Sequence, residues 1–407
     1  MAALNLKLFK SAIIAGLSLA AAWQAYQFSV VPSLRLSSPE MALTLRPFDA
    51  VSLSRRLNSQ MKEAGTYLND PKDTAEATRS LIETPLSRSS LRIIGMNAAN
   101  SGEVDTATTA MELAHRVSRR DSWTEVWLLE RAARENDFEA ILTHYHAALT
   151  VKPELGSALN PIFVSATKYP QVRLPLKKYL RSNASWAPGF LAAASKDADL
   201  DDLTDLVLPV AQHLGNDAYT PAISTTVYRL AAKGRWDEAM RLADATWTDF
   251  DAVEFTKFAP DPASSDPRLG KLAWSLGTEQ GIASTLAKDG GIEASMSPLA
   301  RGTIASRVIP ISAPGSYTLT QTIDVSGSWQ RSRMRWFADC VSDPEGTEKR
   351  VWEQTIPSAS KIMTYRSSIP IPANCSLLRL TLVGTGPEGQ SEAFLTLRDL
   401  EFARVRL

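Results

Sequence analysis

The chain has 407 residues, with 44 basic side chains balanced by 44 acidic ones, so that the formal net charge is zero. This length is sufficient for two or three domains with sizeable cores. The absence of net positive charge disfavours a nucleic-acid-binding function, because such proteins usually carry an excess or a cluster of basic side chains.

The first 31 residues predict a membrane anchor. A short basic end, residues 1–10, contains Lys7 and Lys10, and an uncharged segment follows at residues 11–31. A helix of that length spans ~31 Å, which is enough to cross the hydrocarbon core of a bilayer. The basic end should remain in the cytoplasm and the bulk of the chain in the periplasm, as in a single-pass protein of a bacterial inner membrane. The alternative is a cleaved signal peptide, with the small residues Ala20-Ala21-Ala22 as its cleavage site.

Small residues in this segment suggest a contact with a second membrane helix. Ala12, Gly16 and Ala20 are spaced four apart, so they share one face of a helix on which another helix could pack. Alanine-rich membrane segments also produce this spacing by chance. Residues 32–47 then form a tether to the next domain.

Residues 48–250 are predicted to form an α-solenoid. A helix-turn-helix sequence occurs twice between Arg92 and Pro153. Ala107 and Ala114 of the first copy align with Ala140 and Ala147 of the second. A repeat in the mid-thirties is typical of helical solenoids. The pattern predicts helices near 88–101, 103–119, 121–135 and 137–151.

Two segments of this region, Glu135–Leu149 and Lys233–Asp244, resemble tetratricopeptide repeats. Each has a polar turn followed by a helix with small residues, although the Trp-Leu-Gly opening of the family is absent from every copy. The resemblance implies a concave groove that binds a protein segment, with an envelope or membrane protein as the expected partner.

The periodicity changes from 3.6 to 2 beyond residues 251–265, which are rich in Pro, Ser and Asp and are predicted to be a linker. In residues 266–407, Tyr317, Leu319, Ile323 and Val325 alternate with polar residues, and Met334, Trp336, Ala338 and Cys340 share one face. About eight to ten short strands separated by Gly/Pro turns indicate an antiparallel β-sandwich. The predicted fold is therefore a membrane helix, a solenoid and a C-terminal sandwich.

The segment from Ile311 to Val325, preceded by TIASRVIP and followed by RDLEFARV, resembles a jelly roll of the carbohydrate-binding-module type. The resemblance implies a capacity for sugar binding. Sugar rings stack on exposed aromatic side chains through their apolar C–H faces, which makes Trp329, Trp352 and Tyr365 the predicted glycan contacts. Trp274, Tyr317 and Trp336 are expected in the core. The alternative for the predicted contacts is that they cover the sandwich edge or its border with the solenoid.

Cys340 and Cys375 are the two cysteines of the chain. An exported compartment would oxidise them, so the sequence predicts a disulfide. The alternative is a pair of buried thiols. Because no histidine flanks them, a structural zinc site is not expected.

No motif in the sequence predicts a catalytic, cofactor-binding or metal-binding site. The four histidines, His115, His144, His146 and His213, are expected to be solvated or packed, because His144 and His146 are two apart and point to different faces of a helix. Gly384, Gly386 and Gly389 spell GxGxxG, but Pro387 interrupts the pattern and a strand follows, so a hairpin turn is predicted.

These features predict a non-enzymatic, membrane-anchored periplasmic scaffold. It would recruit protein partners through the solenoid groove during assembly or export of an extracellular polysaccharide. One alternative is a glycan-binding protein acting through the sandwich. The other is a carbohydrate-active enzyme, which needs two carboxylates facing each other across a cleft.

Overall fold

The computed structural model describes residues 2–64, 71–279, 281–288, 290–327, 333–341, 348–356, 362–389 and 391–405. The chain divides into two compact units, Met1–Leu155 and Gly156–Leu407. The division does not fall at the predicted linker, because the helices after Gly156 belong to the same unit as the strands.

The first unit is helical. In its described residues the helices are α1 (Ala2–Ser37), α2 (Pro39–Leu45), α3 (Ala50–Ala64), α4 (Pro71–Glu83), α5 (Arg88–Asn100), α6 (Val104–Val117), α7 (Ser122–Glu135) and α8 (Phe138–Val151). Helices α5 and α6 pack as one hairpin and α7 and α8 as a second. The four helices predicted for the repeated unit are therefore confirmed.

The two hairpins differ from the predicted register by one position. Helices α5 and α7 begin at Arg88 and Ser122, and helices α6 and α8 begin at Val104 and Phe138. The equivalent helices of the two hairpins are one residue further apart in the chain than Ala107 is from Ala140, the pair aligned in the sequence pattern. The buried Ala114 therefore corresponds to the buried Ala148 rather than to Ala147.

Helix α1 does not support the predicted transmembrane segment at residues 11–31. No helix in the described residues is both long and apolar enough to cross a membrane. Gln24 and Gln27 lower the hydropathy of the second half of the segment, and Gln27 Nε2 donates a hydrogen bond to the Leu45 carbonyl at 2.6 Å. Val31 is also buried within the first unit. The second half of the segment is thus part of a helical fold.

The small-residue face of α1 has no packing partner in the described residues. Ala12, Gly16 and Ala20 are all exposed, and no atom lies within 4 Å of a Cβ built on Gly16. Whether another helix packs there stays a prediction.

The second unit begins with helices and ends with strands. Its described helices are α9 (Gly156–Ala166), α10 (Pro170–Arg181), α11 (Ala187–Asp197), α12 (Leu200–Val207), α13 (Thr220–Ala232) and α14 (Trp236–Thr246). Its described strands are β1 (Ser275–Leu276), β2 (Ile282–Leu286), β3 (Ile292–Met296), β4 (Arg301–Pro310), β5 (Gly315–Gly327), β6 (Arg333–Val341), β7 (Glu348–Ile356), β8 (Met363–Ile371), β9 (Leu377–Thr385) and β10 (Ala393–Arg404).

The strands form two antiparallel five-stranded sheets, ordered β1-β4-β9-β6-β7 and β2-β3-β10-β5-β8. The predicted alternation is confirmed, because Met334, Trp336, Ala338 and Cys340 are all buried in the core between the sheets. The predicted disulfide is also confirmed: Cys340 and Cys375 are bonded, with their Cα atoms 5.5 Å apart.

The GxGxxG pattern is a packing feature at the end of β9. A Cβ on Gly384 would collide with the side chains of Met296 and Ile304, and one on Gly386 would collide with the Ser297 carbonyl. Close packing between strands therefore explains these two glycines. The predicted hairpin turn is wrong, because β9 and β10, which flank the pattern, belong to different sheets.

The predicted linker at residues 251–265 is a docked segment and belongs to the sandwich. Residues 251–274, here called the strap, contain three short 3-10 helices (Ala252–Phe255, Pro262–Ser265 and Pro267–Leu272). Phe258 is buried in the sandwich core, and Gly291, the residue before β3, donates its N–H to the Pro260 carbonyl at 2.7 Å. The strap thereby covers one side of the sandwich.

Candidate functional site

The outer face of the β1-β4-β9-β6-β7 sheet carries an open cleft of about 860 Å³. We call it the outer cleft. Its side chains come from all five strands of the sheet and from the helical part of the same unit. They include Tyr228, Lys271, Ser275, Thr303, Ser306, Phe337, Asp339, Glu348, Arg350, Arg379 and Thr381.

Strand register arranges these side chains in rows. Ser275 lies opposite Ser306, Ser306 opposite Thr381, and Thr381 opposite Phe337, so that three hydroxyl residues lead across the sheet to one aromatic ring. Side chains alternate between the two faces of a strand. Neighbours of this row, such as Leu380 and Leu382, are therefore buried in the core.

A charged row lies beside the hydroxyl row. Arg379 is opposite Asp339, which is opposite Arg350. Arg350 forms an ion pair with Asp339, donating from Nη2 to Oδ2 at 3.3 Å and from Nε to Oδ1 at a shorter distance. Arg379 forms an ion pair with Glu348. Both carboxylates that line the cleft within the described part of the chain are thus neutralised by arginines.

The ring of Phe337 is covered by a cation. The Cζ of Arg350 lies 3.9 Å from the ring centroid, and the Cζ of Arg335 lies 5.8 Å from it. A guanidinium over an aromatic face is attracted by the ring quadrupole, an interaction of about 0.5–2 kcal/mol. This contact helps to fix the position of the Arg350 guanidinium beside Phe337.

Helix α13 and the strap complete the wall. Ser376 Oγ donates to the Ala232 carbonyl at 2.7 Å, which joins the end of α13 to the sandwich. Lys271 Nζ lies 5.0 Å from the ring centroid of Tyr228. The wall therefore adds a cation and a second aromatic residue to the cleft.

This arrangement suits a ligand with many hydroxyl groups. Carboxylates and guanidinium groups can each engage two neighbouring hydroxyls, while serine and threonine hydroxyls both donate and accept. Because the described charges of the floor are paired, the floor presents hydrogen-bonding groups with little excess charge, and Lys271 of the wall adds one positive charge.

Two of the three predicted glycan contacts, Trp352 and Tyr365, lie outside the outer cleft. Trp329 is outside the described residues. Trp352 of β7 lies opposite Ala338 of β6, and Tyr365 of β8 lies opposite Gln321 of β5. Both aromatic side chains are half-buried against the core. Neither side chain lines the outer cleft.

The aromatic residues expected in the core are found there. Trp274, Tyr317 and Trp336 are all buried, and the Trp274 indole donates to the Phe258 carbonyl at 3.2 Å. Phe337 is not among the glycan contacts predicted from the sequence, although its position between Trp336 and Ala338 places it on the opposite face.

Three helices of the first unit bring titratable side chains together in a way that sequence spacing did not reveal. His115 on α6, Glu125 on α7 and His144 on α8 form one hydrogen-bonded cluster. The spacing of His144 and His146 within one helix does not predict this cluster, because Glu125 lies 10 residues after His115 and 19 residues before His144.

The β-sandwich resembles carbohydrate-binding modules of known structure. A family 4 module matches with 9% identity and a TM-score of 0.25, covering 33% of this chain and 87% of the module. A family 61 module solved with β-1,4-galactotriose matches with 10% identity and a TM-score of 0.24, covering 32% and 88%. The N-terminal cellulose-binding domain of a Cellulomonas fimi β-1,4-glucanase matches with 13% identity and a TM-score of 0.21, covering 32% and 93%. No protein-family model and no curated protein matches the chain.

Proposed function

We propose that this chain is a non-enzymatic glycan-binding protein that holds a neutral polysaccharide in the outer cleft. The observation that carries the proposal is the pair of cross-strand rows, one of hydroxyls ending at Phe337 and one of paired charges. A cleft of about 860 Å³ is within the range of small-ligand sites, roughly 300–1,000 Å³.

The pairing of charges distinguishes between ligand classes. A phosphate or nucleic-acid site needs uncompensated cations, whereas Arg350 and Arg379 are neutralised by Asp339 and Glu348. A general acid and base must exchange protons with substrate, and a carboxylate held by a guanidinium is poorly suited to that role. Lys271 of the wall is the one cation of the described lining without a carboxylate partner, and the paired charges of the floor favour binding of uncharged hydroxyl groups.

The disulfide supports export. Bonds of this kind persist in oxidising compartments and are rare in the cytosol, so the Cys340–Cys375 bond favours a periplasmic location. Within this proposal the chain acts on an extracellular polysaccharide during its assembly or export.

The direct test is affinity electrophoresis of the full-length chain through gels containing neutral polysaccharides, with Arg379→Ala and Asp339→Asn variants beside it. Each substitution removes charge-assisted hydrogen bonds, so we expect affinity to fall by about 10- to 100-fold. The matched control is Arg366→Ala, an exposed arginine on β8 of the other sheet, which should bind as the wild type does.

A Trp352→Ala variant makes the test discriminating. Loss of binding in Trp352→Ala, with full binding in Arg379→Ala and Asp339→Asn, would place the glycan site around Trp352. That result would contradict binding in the outer cleft. Failure of the wild type to bind any neutral or acidic polysaccharide would contradict glycan binding altogether.

A scaffold role for the first unit is the second candidate, favoured by a separate cleft of about 1020 Å³. Three exposed aliphatic side chains line it, Leu36, Val51 and Leu86. Arg55 and Arg88 line it as well, and neither forms an ion pair with any described residue. A protein segment with aliphatic and acidic side chains would match this surface.

Variants at one edge of that cleft test the scaffold role. Leu86→Glu should abolish capture of an envelope protein by the full-length chain, because it adds repulsion to an acidic segment. Ile82→Glu should leave capture unchanged, since Ile82 is equally exposed, at 78% against 77%, but does not line the cleft. Equal capture by both variants would contradict a role for this surface.

A further inference from the structure

The cluster of His115, Glu125 and His144 has the composition and spacing of a metal site. His115 Nδ1 lies 2.7 Å from Glu125 Oε1, and His144 Nδ1 lies 2.8 Å from Glu125 Oε2. The ligand atoms of the three residues all lie within 4.8 Å of one another. Donors around a tetrahedral zinc ion are separated by about 3.3 Å, a value that these distances bracket.

Burial makes the cluster unusual. Glu125 is fully buried, whereas the side chains of His115 and His144 are 21% and 15% exposed. A buried carboxylate is costly unless it is paired or bound to a metal. Among the described residues, Glu125 has no ion pair with lysine or arginine, and both of its oxygens face histidines. No lysine or arginine of the described residues therefore supplies the permanent positive charge expected beside it.

An open cleft gives access to the two histidines. It has a volume of about 610 Å³, and both histidines line it. The carboxylates of Glu112, Glu135, Asp137 and Glu139 line the same cleft. They outnumber its one arginine, Arg131, which forms ion pairs with Glu112 and Glu135. The excess of negative charge should raise the local concentration of divalent cations.

We propose that His115, Glu125 and His144 bind a divalent transition metal of the zinc class. Two imidazole nitrogens and one carboxylate oxygen supply three protein ligands, and the cleft leaves the fourth position open to water or to a ligand group. The donor set favours zinc over magnesium or calcium, which prefer all-oxygen sites. Binding requires neutral imidazoles, so each imidazole gives the proton of its coordinating nitrogen to solvent or to its other nitrogen.

Helix geometry explains why this site needs three helices. His115 lies in the last turn of α6, Glu125 in the first turn of α7 and His144 in the middle of α8. The α6–α7 connection, residues 118–121, turns the chain so that Glu125 faces back to His115, and the α7–α8 hairpin brings His144 to its other oxygen. A bound ion would therefore tie the two hairpins together.

The experiment is a titration of the full-length, chelator-treated chain with Zn²⁺, followed by calorimetry and by thermal unfolding. We expect one zinc ion per chain and a rise in the unfolding temperature with zinc concentration. His115→Gln and His144→Gln should each weaken binding at least 10-fold and lose the thermal response. Mg²⁺ at the same concentrations should have no effect on either quantity.

His213→Gln is the matched control, because His213 lies outside the cluster and contacts Gln212. It should bind zinc as the wild type does. Two results would overturn the proposal: no saturable binding by the wild type, or unchanged binding by His115→Gln and His144→Gln. Lower thermal stability of these variants without any zinc response of the wild type would show that the cluster is a hydrogen-bonded packing feature only.

Discussion

Arg307 on β4 donates a hydrogen bond from Nη2 to the backbone carbonyl of Glu254, 2.9 Å away and 53 residues earlier in the chain. The same guanidinium donates to the carbonyls of Lys257 at 2.8 Å and Ser264 at 3.4 Å. The side chain is almost fully buried, and burial lowers the pKa of Arg307 to about 10. One buried arginine thus satisfies three carbonyls of the strap.

Replacing Arg307 by methionine should destabilise the second unit by about 2–4 kcal/mol, because it leaves buried carbonyls without donors. Urea unfolding monitored by tryptophan fluorescence measures this loss. Arg301→Met, at the exposed start of the same strand, is the control and should change stability by no more than about 0.5 kcal/mol. Equal stability of the two variants would show that the strap is held mainly by Phe258 and Trp274.

Asp49 should make the first unit sensitive to acid. Burial raises the pKa of its carboxyl, but hydrogen bonds from Arg35 and Ser52 outweigh burial, so the pKa is lowered overall. A carboxyl whose folded-state pKa lies below its unfolded value contributes stability above the unfolded pKa, about 3.9. This contribution is lost as the pH falls through the folded-state pKa.

Asp49→Asn should therefore lower the free energy of unfolding at pH 7. Below about pH 4, the free energy of unfolding of this variant should depend less on pH than that of the wild type. Unfolding by urea across this pH range, monitored by circular dichroism, measures both effects. Asp105→Asn, at an exposed position in the first turn of α6, is the comparison. An acid limb of Asp49→Asn as steep as that of the wild type would assign the acid sensitivity to other carboxyls.

The periodic elements of this fold could be predicted from the sequence. Hydrophobic periodicity located the hairpin helices to within about two residues and identified the strands, because both signals are local. The docking of the strap could not be predicted in this way, because the contacts that hold it are not local in the chain. Its Pro, Ser and Asp residues are typical of a linker, and the contacts that dock it come from Arg307 and Gly291, which lie well beyond it in the chain.

The candidate sites depend on register and on packing between helices. Ser306, Thr381 and Phe337 become one row only when three strands are aligned, and no single segment contains that information. The alternation of β6 could have indicated that Phe337 faces away from the core. The prediction instead favoured Trp352, whose charged neighbours suggested exposure although it packs on the core-facing side.

The disulfide should stabilise the sandwich mainly through its loop. Cys340 and Cys375 are 35 residues apart, and the loop-entropy model gives about 4 kcal/mol for a loop of that size. A Cys340→Ala/Cys375→Ala variant should lose most of this amount in urea unfolding, and the wild type under reducing conditions should match it. A reductant effect that persists in the double variant would contradict the assignment, since that variant has no thiol.

The buried pair of Trp336 and Gln321 should couple the two sheets. Trp336 Nε1 donates to Gln321 Oε1 at 2.8 Å, and both residues are 1% exposed. Trp336→Phe leaves a buried acceptor without a donor, and Gln321→Leu leaves a buried donor without an acceptor. Each single change should therefore cost more than the loss of one hydrogen bond.

The double variant removes both polar groups, so it should be less unstable than the sum of the two single variants by about 1–3 kcal/mol. A double-mutant cycle in urea measures this coupling. Additivity within about 0.5 kcal/mol would show that the indole and the amide contribute independently. Strong coupling would instead identify this hydrogen bond as a polar link that fixes how β5 of one sheet packs against β6 of the other.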